Sequence, residues 1–166
     1  MLNSPQGESP VKQVSLAEFY PILRETLDNG GEFSLTVTGT SMVPTIRGGR
    51  DRVTLVKAPD RLSKYDLPLY RRRNGAFVLH RVVGIADDGS YILCGDHQWV
   101  MEPGILQEQI VGIVTRIERK GRTFSVDNPH YRCWVLFWCT VLPLRRFFFR
   151  VYGLPGAVKR RILRKK

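Results

Sequence analysis

Beyond Gly30-Gly31 the hydrophobic repeat of this chain drops from 3.6 residues to 2, and no helical repeat returns before Asn128-Pro129. Phe33, Leu35 and Val37 alternate with Ser34, Thr36 and Thr38, as in a strand with one buried face. Further short strands are expected over 52–57, 67–72, 76–86, 90–94, 109–119 and 123–126. Asp87-Asp88-Gly89 reads as a hairpin turn between two of them, and Lys120-Gly121 as another. Short strands broken by glycine turns predict a mainly β fold, a compact, twisted antiparallel domain rather than a parallel α/β sheet.

Ahead of that switch, Leu16, Phe19, Leu23 and Leu27 recur at helical spacing. Ser15-Leu16-Ala17-Glu18 has the form of a capping box at the start, and Gly30-Gly31 stops the helix. Pro21 falls inside the pattern and is expected to kink or split the helix. The organisation expected is an arm and helix over 1–31, a β-rich body over 32–131, and a basic aromatic tail with helical character over 132–166.

The net charge of +11 belongs to the tail. From Arg132 to Lys166 there are ten Lys/Arg and no Asp or Glu, so residues 1–131 carry 16 basic against 15 acidic side chains. A nearly neutral body argues against nucleic acid as its partner. Residues 133–144 are mostly apolar, but such a stretch is too short to span a bilayer core of about 30 Å. Trp, Phe and Leu interleaved with Arg and Lys suit the headgroup region of an anionic membrane. The expected location is therefore cytoplasmic, peripheral on the inner face of the membrane. Met1 to Val14 has no apolar segment of the kind secretory signals carry. Cys94, Cys133 and Cys139 are odd in number, without a CxxC pair, which fits a reducing compartment and calls for no disulfide, metal or other cofactor.

The chemistry is concentrated after the first strand. Thr38-Gly39-Thr40-Ser41-Met42-Val43-Pro44-Thr45 leaves the strand and turns, so Ser41 can present its hydroxyl in a cleft. A serine hydroxyl needs a neighbouring base to become a nucleophile. His80, His97, His130 and a desolvated lysine such as Lys57 are the candidates.

Gly39-Thr40-Ser41-Met42-Val43-Pro44-Thr45 resembles the G-x-S-M-x-P-T box around the nucleophile of signal peptidases and LexA-like peptidases. Phe77-Val78-Leu79-His80-Arg81-Val82-Val83 resembles that superfamily's strand bearing the general base. Cys94-Gly95-Asp96 resembles its Gly-Asp motif. Histidine rather than lysine at the base position is similar to the endoplasmic-reticulum-type signal peptidases. The resemblance runs from about Phe33 to Glu118. It implies a signal peptidase/LexA-type β-domain and a serine endopeptidase of precursor or leader peptides. In that reading Ser41 is the nucleophile, His80 the base and Asp96 the residue that orients His80. The substrate would be an extended strand with small residues before the cut.

The Ser41 N–H would be one oxyanion donor. Where signal peptidases carry a hydroxyl residue two positions before the nucleophile, this chain has Gly39, which resembles the LexA-like pattern, so Thr38 or Thr40 would have to supply the second donor. A histidine near 6.5 is mostly neutral at pH 7, so activity is expected to fall below about pH 6 as His80 protonates. Two rival readings stand beside this one. The first is a self-cleaving regulatory module, which lacks an upstream helix-turn-helix and an obvious cleavage pair here. The second is a non-enzymatic basic module binding membrane or nucleic acid through the tail.

Overall fold

The computed structural model describes residues 16–141. Their order is α1 (Leu16–Asp28), β1 (Phe33–Thr36), β2 (Arg52–Val56), β3 (Pro68–Arg71), β4 (Phe77–Leu79), β5 (Arg81–Ile85), β6 (Tyr91–Cys94), β7 (Glu102–Ile105), a 3₁₀ turn (Gln107–Gln109), β8 (Ile110–Arg119), β9 (Arg122–Ser125) and α2 (Pro129–Thr140). The fold is mainly β, as expected, with two antiparallel sheets and one helix at each end.

The larger sheet runs β1-β2-β8-β3-β4 and curls into a half-barrel. β8 is its spine: β2 lies along one edge, while β3 and then β9 share the other. Register shifts at Thr54/Leu55 and Leu69/Tyr70 add the local bends that such curling needs. The smaller sheet is β5-β6-β7.

α1 closes the half-barrel core. Leu23 and Leu27 are fully buried and join Val53, Leu55, Leu69, Val111, Val114 and Ile117. Gly112 permits this contact, because a Cβ there would come within 2.7 Å of Leu27 Cδ1 and 2.9 Å of the Val56 carbonyl oxygen. The helix ends as a Schellman motif: Gly31 N–H donates to Thr26 O, and Gly30 N–H to Leu27 O, with Gly30 at φ +77°. Pro21 does not split the helix, which is continuous from Leu16 to Asp28. Packing of Leu23 and Leu27 outweighs the loss of one backbone donor. The capping box at Ser15 lies outside the described residues.

The strand expected over 76–86 is divided at His80. β4 pairs with β3 in the larger sheet, Leu69 opposite Leu79. β5 pairs with β6 in the smaller, Arg81 opposite Cys94. His80 is thus the residue at which the chain passes from one sheet to the other. β7 was not expected; it contains Pro103 and Gly104, both poor strand residues, which it tolerates as an outer strand of its sheet.

At the other end, Asn128 caps α2 by accepting from His130 N–H and Tyr131 N–H, with Pro129 in the first turn. The tail boundary expected at 132 therefore falls inside a helix that packs on the body through Tyr131 and Val135. Among the described residues, no helix is long and apolar enough to cross a membrane. Residues 142–166, with nine of the ten basic side chains of the tail, lie outside the described part of the chain.

Candidate active site

Ser41 stands in the connection between β1 and β2, on a turn fixed from three directions. Met42 and Ile46 reach down into the half-barrel core, and Ile46 N–H donates to Met42 O at 2.8 Å. These apolar anchors hold the turn down on the core, with Thr45 buried between them, and Ser41 beside Met42 is partly exposed. Gly39 has φ +79°, the left-handed region that favours glycine. Gly48 approaches so closely that a Cβ there would come within 2.1 Å of the Gly39 carbonyl oxygen. The peptide bond Val43-Pro44 is cis.

Asp51 is the electrostatic pin of the same turn. It is fully buried and accepts from Arg47 N–H, from the Arg50 guanidinium and from Arg119 Nε, while Arg119 also donates to the Thr45 carbonyl oxygen. Burial works to raise the Asp51 pKa, but Arg50, the Arg47 N–H and Arg119 outweigh it and hold it below the ordinary carboxylate range.

His80 is buried at the sheet crossing, between two groups of neighbours. On one side its Nδ1 lies 3.3 Å from Tyr70 Oη and 3.3 Å from Glu102 Oε1. Glu102 accepts from Tyr70 Oη at 3.0 Å and from Arg72 Nε at 2.8 Å, with a second bond from Arg72 Nη2. On the other side Nε2 faces Gly95. A Cβ at Gly95 would come within 3.1 Å of His80 Nε2 and 2.7 Å of the Ser41 carbonyl oxygen. The turn after β6 is tied to the serine directly, since His97 N–H donates to Ser41 O at 2.7 Å. Ser41, His80 and the Gly95-Asp96 turn, distant in sequence, therefore converge on one point. Among the described residues the Ser41 hydroxyl and N–H make no hydrogen bond, to His80 or to any other group.

Asp96 occupies the same turn, but both of its carboxylate oxygens are held by Arg81, Oδ1 by Nε at 2.9 Å and Oδ2 by Nη2 at 2.7 Å. Arg81 also donates to Tyr65 O and to Tyr131 Oη. Trp138 of α2 donates its indole N–H to Asp96 O at 3.0 Å. Asp96 is close enough to raise the pKa of His80, as Glu102 does. Burial, helped by Arg72, prevails and sets the His80 pKa below 6.5. Of the other candidate bases, Lys57 is exposed beside Asp28, while His97 and His130 are exposed.

Tyr70, Arg72 and Glu102 had no motif to announce them. Arg71-Arg72-Arg73 reads as a solvated strand end, yet Arg72 is bonded to Glu102 and Arg71 lies over the rings of Tyr20 and Phe77. Only the pairing of β7 with β6 brings Glu102 to the histidine, and that strand is hidden by Pro103-Gly104.

A cavity of about 630 Å³ opens along the inner face of the half-barrel between its two outer strands, β1 and β4. Phe33, Leu35, Phe77, Leu79 and, from α1, Phe19 give it an apolar lining. Its β1 wall leads through Thr38 to Ser41, and its β4 wall ends at Leu79, next to His80. No protein-family model matches the chain, and no curated protein sequence matches it.

Proposed function

We propose that this chain is a serine endopeptidase that cleaves a precursor or leader peptide through an acyl-enzyme on Ser41, with His80 as general base. The observation that carries this reading is the meeting of the Ser41 turn and His80 Nε2 at Gly95. His80 Nε2 takes the Ser41 proton as Oγ attacks the scissile carbonyl, then passes it to the leaving amine. Water, deprotonated by the same nitrogen, hydrolyses the ester and frees Ser41. The Ser41 N–H would stabilise the oxyanion, with Thr38 or Thr40 as the second donor.

The apolar cavity supports an extended substrate. Among the described residues β1 and β4 are the outer strands of their sheet and both line the cavity, so a peptide backbone could add to either as a strand. Its Phe and Leu lining suits apolar side chains ahead of the cut.

Cytoplasmic, peripheral attachment to an anionic membrane surface is part of the same proposal. The basic tail favours it, and so do the exposed Trp134, Leu136 and Phe137 on α2. Replacing Lys159, Arg160 and Arg161 by Gln should weaken binding to phosphatidylserine vesicles; unchanged binding counts against attachment through the tail.

The test of the peptidase reading is labelling with a fluorophosphonate probe. Wild type should be labelled, and Ser41→Ala and His80→Ala should not. Equal labelling of all three proteins would overturn the proposal.

A further inference from the structure

We infer that Glu102, rather than Asp96, is the positioning carboxylate of His80, and that Arg72 and Tyr70 hold it in that role. The consequence for catalysis rests on the peptidase reading; the geometry of the histidine does not.

Both sides of the imidazole support this assignment. An ionised carboxylate can only accept, and Glu102 Oε1 lies 3.3 Å from Nδ1. The proton of the neutral ring therefore belongs on Nδ1, which leaves Nε2 as an acceptor facing Gly95 and the Ser41 turn. That is the tautomer a general base needs. Tyr70 Oη donates to Glu102 Oε2, and Arg72 grips both carboxylate oxygens, so Glu102 is fixed in direction and kept ionised. Burial alone would raise the Glu102 pKa, but Arg72 and Tyr70 bring it below its ordinary value.

Asp96 is committed elsewhere. Its two oxygens form a bidentate pair with Arg81, and the pair is closed over by Tyr131 and Trp138. Turning Asp96 toward His80 would leave a buried guanidinium without its counter-charge. Asp96 acts on His80 as a nearby charge and holds the turn that carries Gly95. The groups facing His80 are thus Tyr70 and Arg72 from the β3 side, Glu102 from β7, and Asp96 from the turn after β6.

The experiment uses the full chain, with Glu102→Gln, Glu102→Asp and Asp96→Asn beside wild type. The chain has only three histidines, so ¹⁵N-detected titration can follow His80 directly, assigned by its loss in His80→Asn. Wild type should show the Nδ1–H tautomer. In Glu102→Gln the tautomer preference should weaken and the His80 titration should move to lower pH. Fluorophosphonate acylation at pH 7.5 should slow by about 10²- to 10³-fold, and Glu102→Asp should recover part of the loss. Asp96→Asn should lower thermal stability while the folded fraction keeps the Nδ1–H tautomer. An unchanged tautomer and titration in Glu102→Gln would overturn the assignment, as would loss of the tautomer in folded Asp96→Asn instead. If wild type is not acylated at all, the peptidase reading fails, and the tautomer still decides the role of Glu102.

Discussion

Asp96 and Glu102 each meet an arginine within hydrogen-bond distance on either side of one histidine, but they meet it in different media. The Asp96–Arg81 pair is dry, its side chains 3% and 1% exposed. The Glu102–Arg72 pair is half-wet, at 25% and 38%. A dry pair is costly to form and more costly to break, because removing one partner strands the other charge away from water. Such a pair suits a fixed joint, and Asp96–Arg81 joins β5, the turn after β6 and α2. A half-wet pair contributes little to stability, yet its charge is still felt by a buried neighbour. Glu102–Arg72 can therefore adjust a histidine without holding up the fold.

The largest expected effect is on the dry joint. Asp96→Ala should destabilise the protein by about 3–5 kcal/mol in urea unfolding. Glu102→Ala should cost no more than about 1 kcal/mol. If the two variants unfold at the same urea concentration, the contrast between joint and adjuster is broken. A double variant, Asp96→Leu with Arg81→Met, sharpens the same point: removing both charges should recover much of the loss.

A smaller effect is expected at the edge of that joint. Trp138→Phe keeps the ring against the body but removes the donor to Asp96 O, which should cost about 1 kcal/mol. Hydrogen exchange should quicken at the amides of residues 95–98, where His97 N–H binds Ser41 O and Gln98 N–H binds Gly95 O. Unaltered exchange there would mean that α2 merely covers the turn and does not support it.

Much of this architecture was legible in the chain. Period-2 alternation located β1, and short strand-like runs between glycine turns located β2, β3, β6, β8 and β9 within a few residues; β2 buries alternate positions, whereas β3 and β6 are buried along nearly their whole length. The glycine stop after α1 was readable for a local reason, the left-handed conformation at Gly30. Ser41 and His80 were singled out through the resemblance of their flanking residues, and the Ser41 carbonyl oxygen and His80 Nε2 both lie beside Gly95. The remainder depended on partners far apart in sequence. No local pattern says that Arg81 will take both oxygens of Asp96, that His80 is where the chain changes sheets, or that Arg72 will find Glu102 thirty residues on. Trp134, Leu136 and Phe137 were read with the tail as one aromatic run; the helix divides that run into Tyr131, Val135 and Trp138 facing the body and an exposed apolar face.

The smallest expected effect is on the half-wet pair, and it is a shift in pH rather than a loss of fold. Burial sets the His80 pKa below 6.5, with Glu102 opposing the shift and Arg72 assisting it. The acid limb of acylation should therefore lie below pH 6.5 in wild type. Stability follows the same sign: the contribution of neutral, buried His80 is fully present above 6.5 and is lost as pH falls through the lower folded-state pKa. Arg72→Gln removes a positive charge that disfavours the imidazolium and frees the Glu102 carboxylate to favour it, so the His80 pKa should rise. A shift of up to about one pH unit corresponds to about 1.4 kcal/mol between the two protonation states. The acid limb should move upward with the ¹⁵N titration, while the urea midpoint at pH 8 changes little because the histidine is neutral there in both proteins. A downward movement of the limb in Arg72→Gln would mean that Arg72 acts mainly by keeping Glu102 ionised, and that the adjusting charge is the carboxylate alone.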